Sequence, residues 1–257
     1  IENSVLFCPF NKISVFEGAK QNRILNTSIL LAPNSTTEIP VSCVEQGRWE
    51  YTSNEFSSSD LEIPTFFRAS MSKNVLNNLE TSKMHDSNQS EVWNAVAMHE
   101  RENKYRSKTS DLAESLKKKK KITEDAIKVF SLDPNANGAA VFIGQRLLNI
   151  DIFNRKDIFA EYFPKLLKGA FSEKLRYIKE SELTQDLAFK SFDQLFTSYN
   201  KIEKKEFNGA GVGTEYRFSN KKCSGFELKW EGNLIHFTLL DIGKAKQKEE
   251  DPTVFII

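Results

Sequence analysis

Along the first third of the chain, apolar positions recur with the period of two typical of strands. From Ser87 onward they recur with the period of a helix. "NSVLFCPF" and "KISVF" read as short strands. "NRILNTSILLAP" alternates, turns apolar and stops at Pro33-Asn34, a turn signal. "TEIPVSCVE" alternates again, with Ile39, Val41, Cys43 and Glu45 on one face and Ser42, Val44 and Gln46 on the other. Pro40 lacks an N–H and marks an edge position or a strand start. The last two runs together predict a β-hairpin. "PTFFRAS" reads as another strand and "NEFSSSDLE" as a polar loop.

"SNQSEVWNAVAMHERE" places Val92, Trp93, Val96 and His99 at helical spacing, with Ser90 as the cap. "TSDLAESLKKKKKITEDAIKVF" carries a second, discontinuous helical stripe that "DPNANG" breaks. Ser107 and Thr109 ahead of it have the chemistry of helix caps. "AAVFIGQRLLNIDIF" predicts a hairpin centred on Gly144-Gln145. "KDIFAEYFPKLLKGAFSEKL" is helical, with Pro164 starting a new helix or bending this one. "TQDLAFKSFDQLFTSY" is a further amphipathic helix. Strands return in "GTEYRFS", "CSGFELKWEG" and "NLIHFTLLD", with Gly232-Asn233 as a turn and "GKAKQKEEDP" as a charged exit. This order gives an α+β fold, a β-rich core of N-terminal and C-terminal strands around a helical middle region, without regular βαβ alternation. No internal repeat is evident, and residues 1–257 read as a single domain.

Composition narrows the function classes. With 39% hydrophobic residues and 20 Phe, the 257-residue chain can bury a sizeable core. A net charge of +1 disfavours duplex binding through a global basic field, so nucleic acid is not the expected partner. Three cysteines, Cys8, Cys43 and Cys223, do not make a disulfide framework. Three histidines with no CxxC or HxxxH give no metal-ligand spacing, and no cofactor is implied. No apolar stretch is long enough to span a bilayer. With no visible signal peptide, a reducing cytoplasm is the expected compartment. The chain begins at Ile1 rather than Met, which leaves room for a preceding segment.

"GAKQNR", then "NTSILL", then "IPVSCVEQGRW" resembles the ADP-ribosylglycohydrolase- and rhodanese-phosphatase-associated protein domain, a bacterial family named for its gene neighbours. "QSEVWNAV" with "SKTSDL", "AAVFIGQRLLNIDIF" before "LLKGAF", and "GFELKWEGNLIHFTLL" extend the resemblance over nearly the whole chain. It implies one β-rich domain, usually with more β sequence ahead of the GAKQNR segment than this chain shows. It links the chain to NAD and ADP-ribose chemistry through the family's name and context, and it implies no particular reaction.

The candidate chemistry clusters in the same stretch. Lys20 and Asn22 face one way on a strand, Gln21 and Arg23 the other. Arg23 and Arg48 offer planar forks suited to phosphate, Glu45 an acceptor for ribose hydroxyls or an acid/base group, and Trp49 a stacking surface. The alternative is a brace in which Arg23 or Arg48 pairs with Glu45 across Gly47. Cys43 reads as a core thiol before it reads as a nucleophile paired with His236, because no helix N-terminus or cation on its own face activates it. His236, between apolar neighbours, is either a hydrogen-bonded core residue or the acid/base group of a reaction. Lys117 to Lys121 point all round a helix and read as a solvated face. "GAGVG" fits no phosphate-binding loop and reads as a flexible turn.

Two functions follow as expectations. One is binding or processing of an anionic, nucleotide-like ligand beside the GAKQNR and SCVEQGRW strands. The other is a non-catalytic protein-interaction module in a larger, defence-related assembly, with the polar strip as a structural brace.

Overall fold

The computed structural model describes residues 6–8, 21–48, 61–143, 146–172, 185–242 and 252–256. Eleven strands and six helices occur among them, in an α+β arrangement. The centre is an antiparallel sheet of seven strands. It contains β5 (Gly138–Ile143), β6 (Arg146–Phe153), β7 (Lys205–Asn208), β8 (Thr214–Ser219), β9 (Cys223–Trp230), β10 (Asn233–Asp241) and β11 (Pro252–Ile256). Their spatial order is β11-β5-β6-β10-β9-β8-β7. The predicted hairpin of β5 and β6 is present, with Ile143 paired to Arg146, while Gly144 and Gln145, its expected centre, lie outside the described residues. The turn of β9 and β10 shifts by one residue. Trp230 pairs with Asn233, and Glu231 and Gly232 form the loop at φ +50° and +79°. A two-residue hairpin turn of this hand needs positive φ at both positions, which Gly tolerates best.

Period-two alternation gives the sheet two distinct faces. Ile150, Phe218, Phe237 and Leu239 line one face and pack with Phe192, Phe196 and Tyr199 of α6 (Gln185–Asn200). On the other face stand Asp151 and Phe153 of β6, His236 and Thr238 of β10, Phe226 and Leu228 of β9, and Glu215 and Arg217 of β8. α1 (Thr65–Thr81) and α5 (Lys156–Ser172) cover that second face. Pro164 lies inside α5, which continues through it as one helix while Phe163, Leu166 and Leu167 are buried.

α1 overturns the expected "PTFFRAS" strand. Thr65, Phe66 and Phe67 have strand propensity, but Phe67, Met71, Val75 and Leu79 recur every four residues and are all buried. Each such side chain contributes about 1.5–3 kcal/mol when buried, which outweighs local preference. α2 (Gln89–Glu102) is capped by Asn88, whose side chain accepts from Ser90 N and Glu91 N, so Ser90 is the second helical residue and not the cap. The stripe expected after it splits into α3 (Leu112–Lys117) and α4 (Lys120–Ile127). Asp111 caps α3, in place of Ser107 or Thr109.

The N-terminal run also divides. β2 (Arg23–Leu25) pairs with β4 (Val41–Cys43) as the predicted hairpin. β3 (Ile29–Leu31) pairs instead with β1 (Leu6–Cys8). The GAGVG stretch connects β7, which sequence reasoning missed, to the predicted β8. An added Cβ at Gly211 would lie 2.2 Å from Leu30 O, which already accepts from Val212 N, so backbone contact with β3 excludes a larger residue there. "KISVF", most of "NEFSSSDLE" and "GKAKQKEED" lie outside the described residues.

Candidate functional site: a buried polar cluster and the strand edge beside it

Asn26, Thr27 and Ser28 separate β2 from β3, and each is completely buried. Polar side chains so placed must find partners, and these three find theirs in different parts of the chain. Asn26 Nδ2 donates to His85 O at 3.1 Å, and Ser42 Oγ donates to Asn26 Oδ1 at 2.6 Å. Thr27 Oγ1 donates to Glu215 Oε1 at 2.8 Å and accepts from Arg217 Nη2 at 2.6 Å. Ser28 Oγ lies 2.7 Å from His236 Nδ1.

His236 leads into the first group of charges. Its ring stacks on Phe153 with centroids 4.4 Å apart and meets Phe226 edge-on. Nε2 approaches Asp151 Oδ1 at 3.5 Å. Burial lowers the pKa of His236, and Asp151 only partly opposes it, so the ring is neutral. With a proton on Nε2 facing Asp151, Nδ1 accepts from Ser28. Asp151 receives Arg68 in two hydrogen bonds, Nη1 to Oδ2 at 3.0 Å and Nη2 to Oδ1 at 2.5 Å, and a third from Asn149 Nδ2 at 2.8 Å. Arg68 Nη2 also reaches Thr238 Oγ1 at 3.2 Å. Burial raises the Asp151 pKa, but Arg68 and His236 outweigh it and hold the carboxyl well below the usual range.

Glu62, between the start of α1 and α5, behaves in the opposite way. It is 4% exposed, and neither carboxyl oxygen has a hydrogen-bond partner. Burial pushes its pKa well above the usual range. Arg68 and Lys165 pull it down in part, and Asp151 adds to the rise. One buried neighbourhood thus holds a carboxyl whose pKa is raised and another whose pKa is lowered.

The second group lies on β8. Arg217 is fully buried, donates through Nε to Glu215 Oε2 at 2.6 Å, and stands 4.9 Å over the Phe226 ring. His85 Nε2 is 3.4 Å from Glu215 Oε1. Burial raises the Glu215 pKa, and Arg217 and His85 more than reverse it.

Outside this cluster, the β2–β4 edge gathers most of the residues singled out in the sequence. Glu45 is 3% exposed, which breaks the alternation expected of its strand. Arg48 Nε reaches both its oxygens at 2.9 Å, Arg48 Nη2 lies 2.7 Å from Oε2, Thr109 Oγ1 donates to Oε1 at 2.9 Å, and Asn22 N donates to Oε2 at 3.2 Å. Arg48 Nη2 also donates to Asn22 Oδ1, and Asn22 Nδ2 donates to the capping Asp111 at 3.0 Å. Gln21 is buried with Nε2 3.5 Å from Gln46 O. Thr109, expected as a helix cap, serves Glu45 instead.

Arg23 stands half-buried opposite Cys43 in the β2–β4 register. It makes no hydrogen bond or ion pair among the described residues. The Gln89 side chain holds the Cys43 backbone at both N and O, at 2.9 and 2.8 Å. Burial raises the Cys43 thiol's pKa and Arg23 lowers it less. Cys43 and His236 do not meet: one sits against Gln89, the other against Ser28 and Asp151. Lys20 and Trp49 lie outside the described residues.

In comparison with known families, residues 14–240 match the ARG and Rhodanese-Phosphatase-superfamily-associated Protein domain, ARPP-1. The chain belongs to this family. No curated protein and no solved structure matches it. The matched span contains every residue of the ARPP-1 cluster and edge named above. Among the described residues, no group of three or more His, Cys, Asp and Glu is placed to hold a metal ion, and no helix is long and apolar enough to cross a membrane.

Sequence reasoning found His236 and the Glu45–Arg48 pair but missed Ser28, Glu62, Arg68, Asp151, Glu215 and Arg217 of the ARPP-1 chain. A signal was available in part. Asn149 and Asp151, Glu215 and Arg217, and His236 and Thr238 each sit two apart in apolar strands, which assigns each pair to one face. Glu62 and Arg68 have no such signature.

Proposed function

We propose that this chain binds an anionic, nucleotide-like molecule of the ADP-ribose or NAD type at the β2–β4 edge, with Arg23 meeting its phosphates. One observation carries the reading. Of the two guanidiniums on adjoining strands, Arg48 is committed to Glu45 and Asn22, while Arg23 is half-buried without a hydrogen bond or ion pair among the described residues. A partly desolvated guanidinium favours an anionic acceptor, and its planar fork suits phosphate. The family's association with ARG, read as ADP-ribosylglycohydrolase, supports this choice of ligand class.

Binding is favoured over turnover by the state of the three candidate catalytic groups. His236 is sealed between Phe153 and Phe226, Glu45 is occupied by Arg48 and Thr109, and burial raises the pKa of the Cys43 thiol. The test is calorimetric titration of ADP-ribose, NAD and AMP into wild type, Arg23→Ala and Arg48→Ala. One nucleotide is expected to bind, with at least tenfold weaker binding in an Arg23→Ala protein that melts as wild type does. No binding by any of the three, or equal binding by Arg23→Ala, refutes it.

A second reading is a protein-interaction module in a larger, defence-related assembly, with the edge as a brace. The closed Arg48–Glu45–Asn22 arrangement favours it. It predicts that Arg48→Ala melts well below wild type and that no nucleotide shifts the melt.

A further inference from the structure

A groove of about 1040 Å³ runs between α1 and the end of β8, next to the edge strand β7. Its walls come from four parts of the chain: one face of α1, the corner between α6 and β7, the end of β8 with the turn into β9, and Ile242 just after β10. Lys73 and Glu80 lie seven residues apart on that α1 face, and Leu76 and Asn77 lie between them at helical spacing. The volume is at the upper end for small-ligand sites. It is a bounded groove rather than a long basic stripe, which sets it apart from a nucleic-acid track.

Its charges do not cancel. Lys205 pairs with Glu80 across the groove, and Arg217 is neutralised by Glu215. Lys73, Lys201 and Lys221 are exposed lining residues with no hydrogen bond or ion pair among the described residues. Glu203 is the remaining carboxylate of the lining. Three ammonium groups against one carboxylate leave two positive charges uncompensated. Lysine ammonium is a compact point charge that suits phosphoryl oxygens without requiring one fixed geometry.

A second observation comes from beneath the surface. Arg217, also of the lining, is fully buried, and its Nη1 has no hydrogen-bond partner. A buried guanidinium N–H without an acceptor costs stability unless an acceptor is supplied. Nε and Nη2 of the same group are both satisfied, by Glu215 and Thr27.

We infer that the α1–β8 groove is a binding site for a small molecule bearing a diphosphate, whose two negative charges Lys73, Lys201 and Lys221 neutralise. The site is separate from the Arg23 edge and does not depend on the reading given for that edge.

The test uses inorganic pyrophosphate as the probe, titrated into the full chain and followed by calorimetry and by amide chemical shifts. The proteins are wild type, Lys73→Ala/Lys221→Ala, Lys201→Gln and Arg23→Ala. All three lysines are exposed, and thermal melts confirm that each variant folds. The expected result is saturable binding of one pyrophosphate per chain, with the largest shifts at residues 73, 201 and 221. The double variant is expected to bind at least tenfold more weakly and Lys201→Gln severalfold more weakly. Absence of saturable binding at millimolar pyrophosphate overturns the site. So does unchanged binding by the double variant. Binding lost in Arg23→Ala but kept in the lysine variants assigns the anion to the strand edge instead and also overturns it.

Discussion

Arg68 of α1 and Asp151 of β6 meet through two parallel hydrogen bonds, 2.5 and 3.0 Å long, with neither side chain more than 3% exposed. This pair ties the helix to the sheet at the point where His236 and Asn149 also converge. Removing one member of a buried pair strands the other, at a cost of about 3–5 kcal/mol. Arg68→Leu or Asp151→Leu is therefore expected to lose that much stability in urea denaturation. Changing both to Leu is expected to recover more than half of the loss. A single variant within about 1 kcal/mol of wild type would show that the pair does not hold α1 in place.

Glu62 makes stability fall with rising pH. Its folded pKa lies above the unfolded value, chiefly because of burial. The folded state therefore binds more protons than the unfolded chain between the two values. The contribution is complete below the ordinary glutamate range and is lost as pH climbs through the folded pKa. Melting temperatures of wild type and Glu62→Gln across pH 4 to 9 should diverge upward in pH, with the Gln variant flatter. Parallel curves would place the carboxyl in contact with water.

His99 works from the acid side. Burial lowers its pKa to about 4, and Lys119 contributes to the same shift. The unfolded chain binds a proton at His99 before the folded one does. Stability is therefore complete above the ordinary histidine pKa near 6.5 and is lost as pH falls toward 4, by about 3 kcal/mol. His99→Gln should flatten the acid limb of the melting curve. An acid limb unchanged in this variant would assign the loss to other groups, including His236, whose pKa is also lowered by burial.

Cys43 should be a slow nucleophile. Burial raises its thiol pKa, and Arg23 opposes that rise. Alkylation by iodoacetamide at pH 8, followed by peptide mass spectrometry, is expected to run slower than for a free thiol and slower still in Arg23→Ala. Faster alkylation in the variant would mean that Arg23 shields the sulfur sterically instead of lowering its pKa.

Much of the fold was legible because its elements obey one period each. The β5–β6 hairpin, the strands β8 to β10 and the helices α2, α5 and α6 fall close to where alternation or helical spacing places them. α1 was not legible. "TFF" has strand propensity, and the four-residue spacing that decides the matter becomes visible only when Met71, Val75 and Leu79 are read with Phe67. At the strand edge, the pairing of Glu45 with Arg48 was readable as one option because three residues separate them. Thr109 and Asp111 come from more than sixty residues away, and no local pattern brings them to Glu45 and Asn22. The buried cluster follows the same rule. Period two assigns Asp151 and His236 to a face, but only the folded sheet puts β6 beside β10 and lays Arg68 across them.

Asn26, Thr27 and Ser28 are three consecutive residues whose side chains reach Ser42 and the loop at His85, strand β8, and strand β10. Such a segment cannot open by fraying. Releasing it requires the N-terminal hairpin, the loop after α1 and two sheet strands to yield together. Its amides should therefore exchange with solvent only in the rare excursions that expose the centre of the sheet, at the same rate as those of β10. These three residues thus make the N-terminal strands part of the same cooperative unit as the C-terminal sheet.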